Sequence, residues 1–247
     1  MKLVLFRPRD RGGAPRPGLV HGARVLEPAV LLGADPAHFP HDPVTLLASN
    51  PAADCRTLLA RVPDDAPPGP GIHDFAEVEL LPPVLRPGTF RDFYSFEDHV
   101  RQARARRGLA VPPEWYRSPV FYFSNPNAIY GPGQDIPRPR STRKLDCELE
   151  IGCIIGRAGR DIPSEQATAY IAGFTLLNDW SARDLQAEEV KVGLGPSKGK
   201  DFATSLGPWL VTPDELASQR SGKGYDLVLE WRRNGRLLGT GNWNSIA

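Results

Sequence analysis

Cysteine is scarce: Cys55, Cys147 and Cys153 are the only three in 247 residues, too few for a disulfide framework and without the paired spacing of a zinc site. Cys147 and Cys153 fall in register with apolar neighbours, which reads as buried free thiols in a reducing cytoplasm. An excess of one charge is also missing, since 30 Lys and Arg against 29 Asp and Glu leave a formal net charge of +1. The basic residues, mostly arginine, are scattered apart from the run Arg101–Arg107, so nothing resembles the electrostatic footprint of a nucleic-acid binder. No apolar run reaches the length of a membrane-spanning helix, and Met1-Lys-Leu-Val-Leu-Phe-Arg-Pro8 is too short for a signal peptide. No internal repeat is present. The expectation is a soluble, cytoplasmic protein with neither nucleic acid nor membrane as partner.

What is present is ordinary in bulk, 40% hydrophobic and 24% charged, with length for one large domain or a small one plus a medium one. Residues 1–80 read as a small β-rich unit. Met1–Phe6 and Gly18–Val25 have strand character, the second crossing a Gly turn, and Pro43–Val62 carries helical spacing around Leu46, Leu47, Leu58 and Leu59. Pro63–Gly71 is a Pro/Gly/Asp-rich loop, and Val78–Leu81 is a short strand before Pro82-Pro83. The second unit, 85–247, opens with a helix over Asp92–Arg107, a Pro-rich loop and a strand at Val120–Phe123. Strands follow at Leu145–Ile155, Tyr170–Leu177 and Leu206–Val211, with a short helix at Ser164–Ala169. Tyr225–Trp231 and Leu237–Trp243 flank Asn234-Gly235, a strong hairpin signal because both turn positions need positive φ. The chain is therefore expected to be mainly β with some α.

In Leu145-Asp-Cys-Glu-Leu-Glu-Ile-Gly-Cys-Ile-Ile155 the odd positions 145–153 are apolar and 146, 148 and 150 acidic, so a strand puts three carboxylates on one face. Like charges so close call for a cation among them, and carboxylate oxygens suit a hard divalent ion. The ordinary explanation is a solvated acidic face. Asn178-Asp-Trp-Ser-Ala-Arg-Asp-Leu-Gln186 follows a strand. If a helix starts there, Asp179, Arg183 and Gln186 share a face at i, i+4 and i+7, with Arg183 forked for a substrate carboxylate. An N-cap and a surface ion pair explain the same residues equally well. Gly193-Leu-Gly-Pro-Ser-Lys-Gly-Lys-Asp-Phe-Ala-Thr204 fails the spacing of a phosphate loop, because Lys200 is followed by Asp201 rather than Ser or Thr. It remains a lid that carries Lys200, or a plain surface loop. Of the five histidines only His99 lies in the second unit, which makes it the candidate proton acceptor.

Asp92-Phe-Tyr-Ser…His99, Leu145-Asp-Cys-Glu-Leu-Glu150, Asn178-Asp-Trp-Ser-Ala-Arg-Asp-Leu-Gln186 and Gly199-Lys-Asp-Phe-Ala-Thr204, taken in this order, resemble the fumarylacetoacetate hydrolase family over roughly residues 85–212. The resemblance implies a small N-terminal domain and a mixed β-roll catalytic domain, assembled as a homodimer. It implies Asp92, Glu148, Glu150 and Asp179 as ligands of Mg²⁺ or Ca²⁺, with Mn²⁺ a third option, and Thr204 near the metal. His99 would activate water. Arg183, Gln186 and Lys200 would hold the substrate and its developing charge, and Tyr94 and Arg107 would contact it. The implied reaction is hydrolysis of a carbon–carbon bond in a 1,3-diketo acid such as fumarylacetoacetate or another acylpyruvate, in aromatic catabolism. A keto-acid decarboxylase or isomerase of the same family, or a non-catalytic metal-binding module, is the alternative. Two family features, a Glu that orients the histidine and a Gly-Thr loop, fall beyond Ala247, so the chain is expected to be incomplete at its C-terminus. Glu97, two residues from His99, faces elsewhere on a helix and does not substitute.

Overall fold

The computed structural model describes every residue except Arg11 and Arg107. The first strands are β1 (Lys2–Pro8), β2 (Arg16–His21), β3 (Arg24–Leu26), β4 (Ile72–Asp74) and β5 (Val78–Leu81). Leu3, Val4, Leu5 and Phe6 form an uninterrupted apolar run, the pattern of a strand covered on both faces. The structure agrees, since all four are buried and β1 pairs antiparallel with β2 and β5. On one side Leu3 joins Met1, Leu19, Leu26, Phe39, Leu46 and Leu210, and on the other Val4 and Phe6 pack with Val25 and Val78.

Helices α1 (Pro28–Leu31), α2 (Pro43–Leu47) and α3 (Pro51–Arg61) lie beside the first cluster. Asp42 starts α2 by accepting from Val44 N at 2.9 Å and Thr45 N at 3.0 Å, and Pro51 starts α3 at a position where its missing N–H costs nothing. The single helical pattern over 43–62 thus resolves into two helices with the break at Ser49-Asn50.

The later strands are β6 (Arg91–Phe93), β7 (Phe121–Phe123), β8 (Ile129–Tyr130), β9 (Leu145–Asp146), β10 (Leu149–Ile155), β11 (Ile171–Asp179), β12 (Ser181–Ala182), β13 (Thr204–Leu206) and β14 (Leu210–Val211). They are followed by β15 (Arg220–Ser221), β16 (Gly224–Tyr225), β17 (Val228–Arg233) and β18 (Arg236–Asn242). Helix α4 spans Glu97–Ala105 and α5 spans Arg183–Glu189. Sheet order β4-β3-β2-β1-β14-β11-β13-β8, with β5 on β1 and β10 on β11, carries one ten-stranded sheet from the first strands into the later ones. The fold is sheet-dominated with some helix, as expected, and the sheet does not close into a barrel. Asn234 and Gly235 both take positive φ (51° and 77°) between β17 and β18, as the hairpin signal required.

Four local expectations change. The helix expected from Asp92 starts at Glu97, because Arg91–Phe93 pairs as β6 with β7 instead. Leu206–Val211 divides into β13 and β14 at Gly207-Pro208, where proline has no N–H to give a ladder. The strand expected over 145–155 is interrupted at Cys147-Glu148: Glu148 N donates to the Asn178 side chain at 3.0 Å rather than to a neighbouring backbone. Cys153 is exposed, because the odd-numbered face of β10, shared with Phe174 and Leu176 of β11, is the outer one, and Cys147, in the interruption before β10, is half-buried. Among the described residues no helix is long and apolar enough to cross a membrane.

Candidate active site

Sheet register gathers the acidic residues. The even-numbered residues of β10 share a sheet face with the buried odd-numbered residues of β11: Glu150 sits opposite Leu177, and Asp179 N donates to Glu148 O at 3.0 Å one step along. Asp179 ends β11 wholly buried, opposite Thr204 of β13, which is itself 1% exposed. The antiparallel pair of β6 and β7 adds a second wall. Asp92 pairs with Tyr122, so the two side chains share one face, and the Tyr122 hydroxyl donates to Asp179 Oδ2. The opposite face carries Arg91, Phe93, Phe121 and Phe123, with the Arg91 guanidinium 4.9 Å from the Phe123 ring centre.

Helix α5 starts at Arg183, four residues later than the i, i+4, i+7 reading required, so Asp179 is a strand end and not a helix cap. The intervening Ser181–Ala182 pairs with β9. The groups still meet. Arg183 donates to Asp146 at 2.8 Å, to Glu148 Oε1 at 2.5 Å and to Gln186 Oε1 at 3.1 Å. Lys200, 2% exposed, donates to Glu148 Oε2 at 2.5 Å and to Asp179 Oδ2 at 2.7 Å. Its loop is pinned by Glu189, which accepts from Ser197 N at 2.9 Å and Gly199 N at 3.1 Å. Residue 199 has no room for a side chain, since a Cβ there would lie 2.8 Å from Gln186 N. Lys200 is thus a fixed, buried ammonium and not the cargo of a loose lid.

Four carboxyls around two cationic side chains leave unbalanced negative charge. Burial, then the neighbouring Asp179, pushes Asp92 up to about 7. Burial, then Asp92, Glu148 and Asp179, pushes Glu150 up to about 8. Burial also raises Asp179, against the pull of Lys200 and Tyr122. Glu148 goes the other way, because Lys200 and Arg183 together outweigh its burial. The Tyr122 hydroxyl is pushed up by burial and by Asp179, so it stays a donor.

His99 rides on α4 with its ring edge-on to Tyr94 at 5.4 Å between centroids. Its rim is open to solvent, yet partial burial lowers its pKa; Glu148 opposes this, while Arg183, Lys200 and Arg106 add to it. The imidazole is therefore neutral near pH 7, the form that accepts a proton. Glu97 is engaged by Arg101 and Tyr116, as its helix position led one to expect. Tyr94 is held by its backbone, its carbonyl accepting from Trp115 Nε1 at 2.7 Å. Arg107 lies outside the described residues.

The structure therefore brings together Asp92, Glu148, Glu150, Asp179, Thr204, Arg183, Gln186 and Lys200, with His99 and Tyr94 at the edge. Among the described residues no three His, Cys, Asp or Glu side chains stand as a ready-made metal-ligand set. The donor chemistry nevertheless fits a hard divalent cation. Asp179 Oδ1 is buried without a hydrogen bond, and the carboxyls of Asp92 and Glu150 resist ionising for want of positive charge. Sequence reasoning missed Tyr122, inside a Phe-Tyr-Phe strand; the signal available was its place on a strand able to pair with Arg91–Phe93.

Comparison with known proteins follows the same lines. The family model described as fumarylacetoacetate (FAA) hydrolase C-terminal matches residues 88–246. A fumarylacetoacetase from Arabidopsis thaliana is 31% identical over 253 residues, covering 86% of this chain, while the chain spans 59% of that protein's length. Fumarylacetoacetate hydrolase from the psychrophile Exiguobacterium antarcticum superposes with a TM-score of 0.67 at 25% identity, over 98% of this chain and 75% of the other. A maleylpyruvate hydrolase from Sphingobium sp. SYK-6, solved with manganese(II) and pyruvate, shares the fold with a TM-score of 0.65 at 21% identity, over 100% and 78% of the two chains.

Proposed function

The chain belongs to the fumarylacetoacetate hydrolase family, and on that premise we propose that it hydrolyses a carbon–carbon bond in a 1,3-diketo acid of the acylpyruvate kind. The observation that carries this reading is a buried carboxylate cluster, with Asp179 Oδ1 unpartnered, into which Arg183 and the buried Lys200 both donate. Asp92, Glu148, Glu150 and Asp179 would hold the ion, Mg²⁺ or Ca²⁺ with Mn²⁺ a third option, and Thr204 lies next to them. When bound, such a cation supplies Lewis-acid polarisation of the diketo oxygens.

The chain's own groups do the rest. Arg183, its Nε and one terminal nitrogen held by Asp146, Glu148 and Gln186, offers its other terminal nitrogen to a substrate oxygen, with Tyr94 alongside. His99 takes a proton from water as the oxygen bonds to the distal carbonyl carbon. The carbon–carbon bond then breaks, its electron pair passing to the methylene carbon and the adjoining keto oxygen. The buried Lys200 ammonium supplies fixed positive charge where that pair arrives, without the cost of reorganising water. Protonation of the methylene carbon releases a keto acid and a carboxylic acid. A decarboxylase would have no task for a base that activates water, which places hydrolysis ahead of decarboxylation. We also propose a homodimer acting in the cytoplasm.

The test is loss of enol absorbance from acetylpyruvate with Mg²⁺ and then with excess EDTA, repeated for Glu148→Ala and His99→Ala. Metal-dependent turnover lost in both variants supports the proposal. Turnover that survives EDTA or His99→Ala overturns it, and decarboxylation of oxaloacetate without acylpyruvate cleavage would favour the decarboxylase.

A further inference from the structure

Asp184 sits beside Arg183 in the first turn of α5, yet it contacts none of the groups above. Both of its carboxylate oxygens reach instead to another stretch of chain. Oδ1 accepts from the Thr142 hydroxyl at 2.5 Å and from Leu185 N at 3.1 Å, and Oδ2 accepts from Arg143 N at 2.8 Å. Thr142 is 0% exposed, and its hydroxyl also accepts from Lys144 N at 3.2 Å while its carbonyl accepts from Arg138 at 2.6 Å. Arg183 N donates to Lys144 O at 2.9 Å. One carboxylate, one buried hydroxyl and three backbone groups thus lock Thr142–Lys144 onto the start of α5.

The locked segment leads straight into Asp146 and Glu148, the two carboxylates that receive the Arg183 guanidinium. Two residues of extended chain span at most about 7 Å, so fixing Lys144 leaves Asp146 little freedom. An acid in a helix's first turn is ordinarily there for the helix dipole, and α5 has no side-chain cap at Ala182. That explanation needs no buried threonine, and it does not account for both oxygens being spent on the strand's approach.

We propose that Asp184 is a positioning residue. Through Thr142 and Arg143 it sets where Asp146 and Glu148 meet the Arg183 guanidinium, and so fixes both the cation that faces the substrate and one of the carboxylates of the ion site. The inference deepens the proposed hydrolase reading and rests on it for the identity of what docks.

The experiment compares Asp184→Asn, Thr142→Val and Thr142→Ser with the parent chain. Three quantities are read: the melting temperature, the Mg²⁺ dissociation constant by calorimetry, and the ¹⁵N NMR signal of the Arg183 Nε–H that Asp146 holds. Asp184→Asn puts an amide N–H against Arg143 N–H, and Thr142→Val removes the hydroxyl while keeping the volume. Both are expected to stay folded, to broaden or lose the Arg183 signal, and to weaken Mg²⁺ binding about 10-fold or more. Thr142→Ser restores the hydroxyl and is expected to keep the parent signal and an affinity within about threefold. Should Asp184→Asn fail to fold, the Val and Ser pair decides alone. Folded Asp184→Asn or Thr142→Val protein with an unchanged Arg183 signal overturns the proposal, leaving Asp184 a loop anchor. A parent chain that binds no Mg²⁺ yet loses the Arg183 signal on substitution refutes the hydrolase reading and leaves the positioning role standing.

Discussion

Titrating Mg²⁺ into the protein at pH 6 and again at pH 9 probes the acidic cluster through its protons. Asp92 stands at about 7 and Glu150 at about 8, each raised first by burial and then by neighbouring carboxylates. A cation that uses both must displace whatever protons they hold. At pH 9 both are ionised and the cost is slight. At pH 6 the penalty is about tenfold for Asp92 and about 100-fold for Glu150, since each pH unit below a pKa costs a factor of about ten. Affinity should therefore fall about 1,000-fold from pH 9 to pH 6, with proton release approaching two per ion at the acid end. Calorimetry in two buffers of different ionisation heat reads both quantities. The same shifts fix the sign of the metal-free stability. Between the ordinary carboxylate value of about 4 and the raised values, the folded chain holds protons that the unfolded chain has lost. Stability without metal thus declines as pH rises through that window, and saturating Mg²⁺ removes the decline. His99, with its lowered pKa, works in the opposite sense as pH rises towards its ordinary value, one group against the raised Asp92, Glu150 and Asp179. An affinity that changes less than about tenfold across pH 6–9, or binding without proton release, refutes the placement of Asp92 and Glu150 around the ion.

Three substitutions extend the test. Lys200→Met removes the ammonium from Glu148 and Asp179. Acylpyruvate turnover should drop by about 100- to 1,000-fold, with Mg²⁺ affinity no weaker because a competing cation has gone; undiminished turnover would remove Lys200 from the chemistry. Tyr122→Phe deletes the hydroxyl that holds Asp179 Oδ2. Calorimetry should show Mg²⁺ binding about tenfold weaker, whereas unchanged affinity with a raised KM would make Tyr122 a substrate contact instead. Leu46→Ala, at a fully buried position against Leu3 and Leu19, should cost about 2–5 kcal/mol in urea unfolding while leaving Mg²⁺ affinity alone.

The residues legible in the sequence were those whose chemistry is written in local spacing. Glu148 and Glu150 announce themselves by alternation, and Asn234-Gly235 names its own turn. Periodicity carries no information about which strands pair, and that is where the reading fell short. The local pattern predicts a helix over Asp92–Arg107 because Asp before a helical stretch is a good start signal. Asp92 lies in β6 because Phe93 and Arg91 find Phe121 and Phe123 across an antiparallel strand pair, a contact between segments about 30 residues apart. The same pairing brings Tyr122 to Asp179, 57 residues away in sequence, so no motif scan within one segment could have found it.

Cys153 shows the reverse error. Its apolar neighbours at 151 and 155 suggested burial, but alternation assigns residues to a common face without saying which face is covered. In β10 the buried face is the one bearing Glu150, the face it shares with the buried Thr175, Leu177 and Asp179 of β11. A polar face turned inwards runs against the hydrophobic rule, and burial together with the neighbouring carboxylates raises Glu150 and Asp92. A fold stabilised only by apolar contacts would have turned this strand over. That it keeps Glu150 inside, beside Asp92, Glu148 and Asp179 and with one Asp179 oxygen unpartnered, is the strongest physical argument that the inner face exists to hold something positively charged.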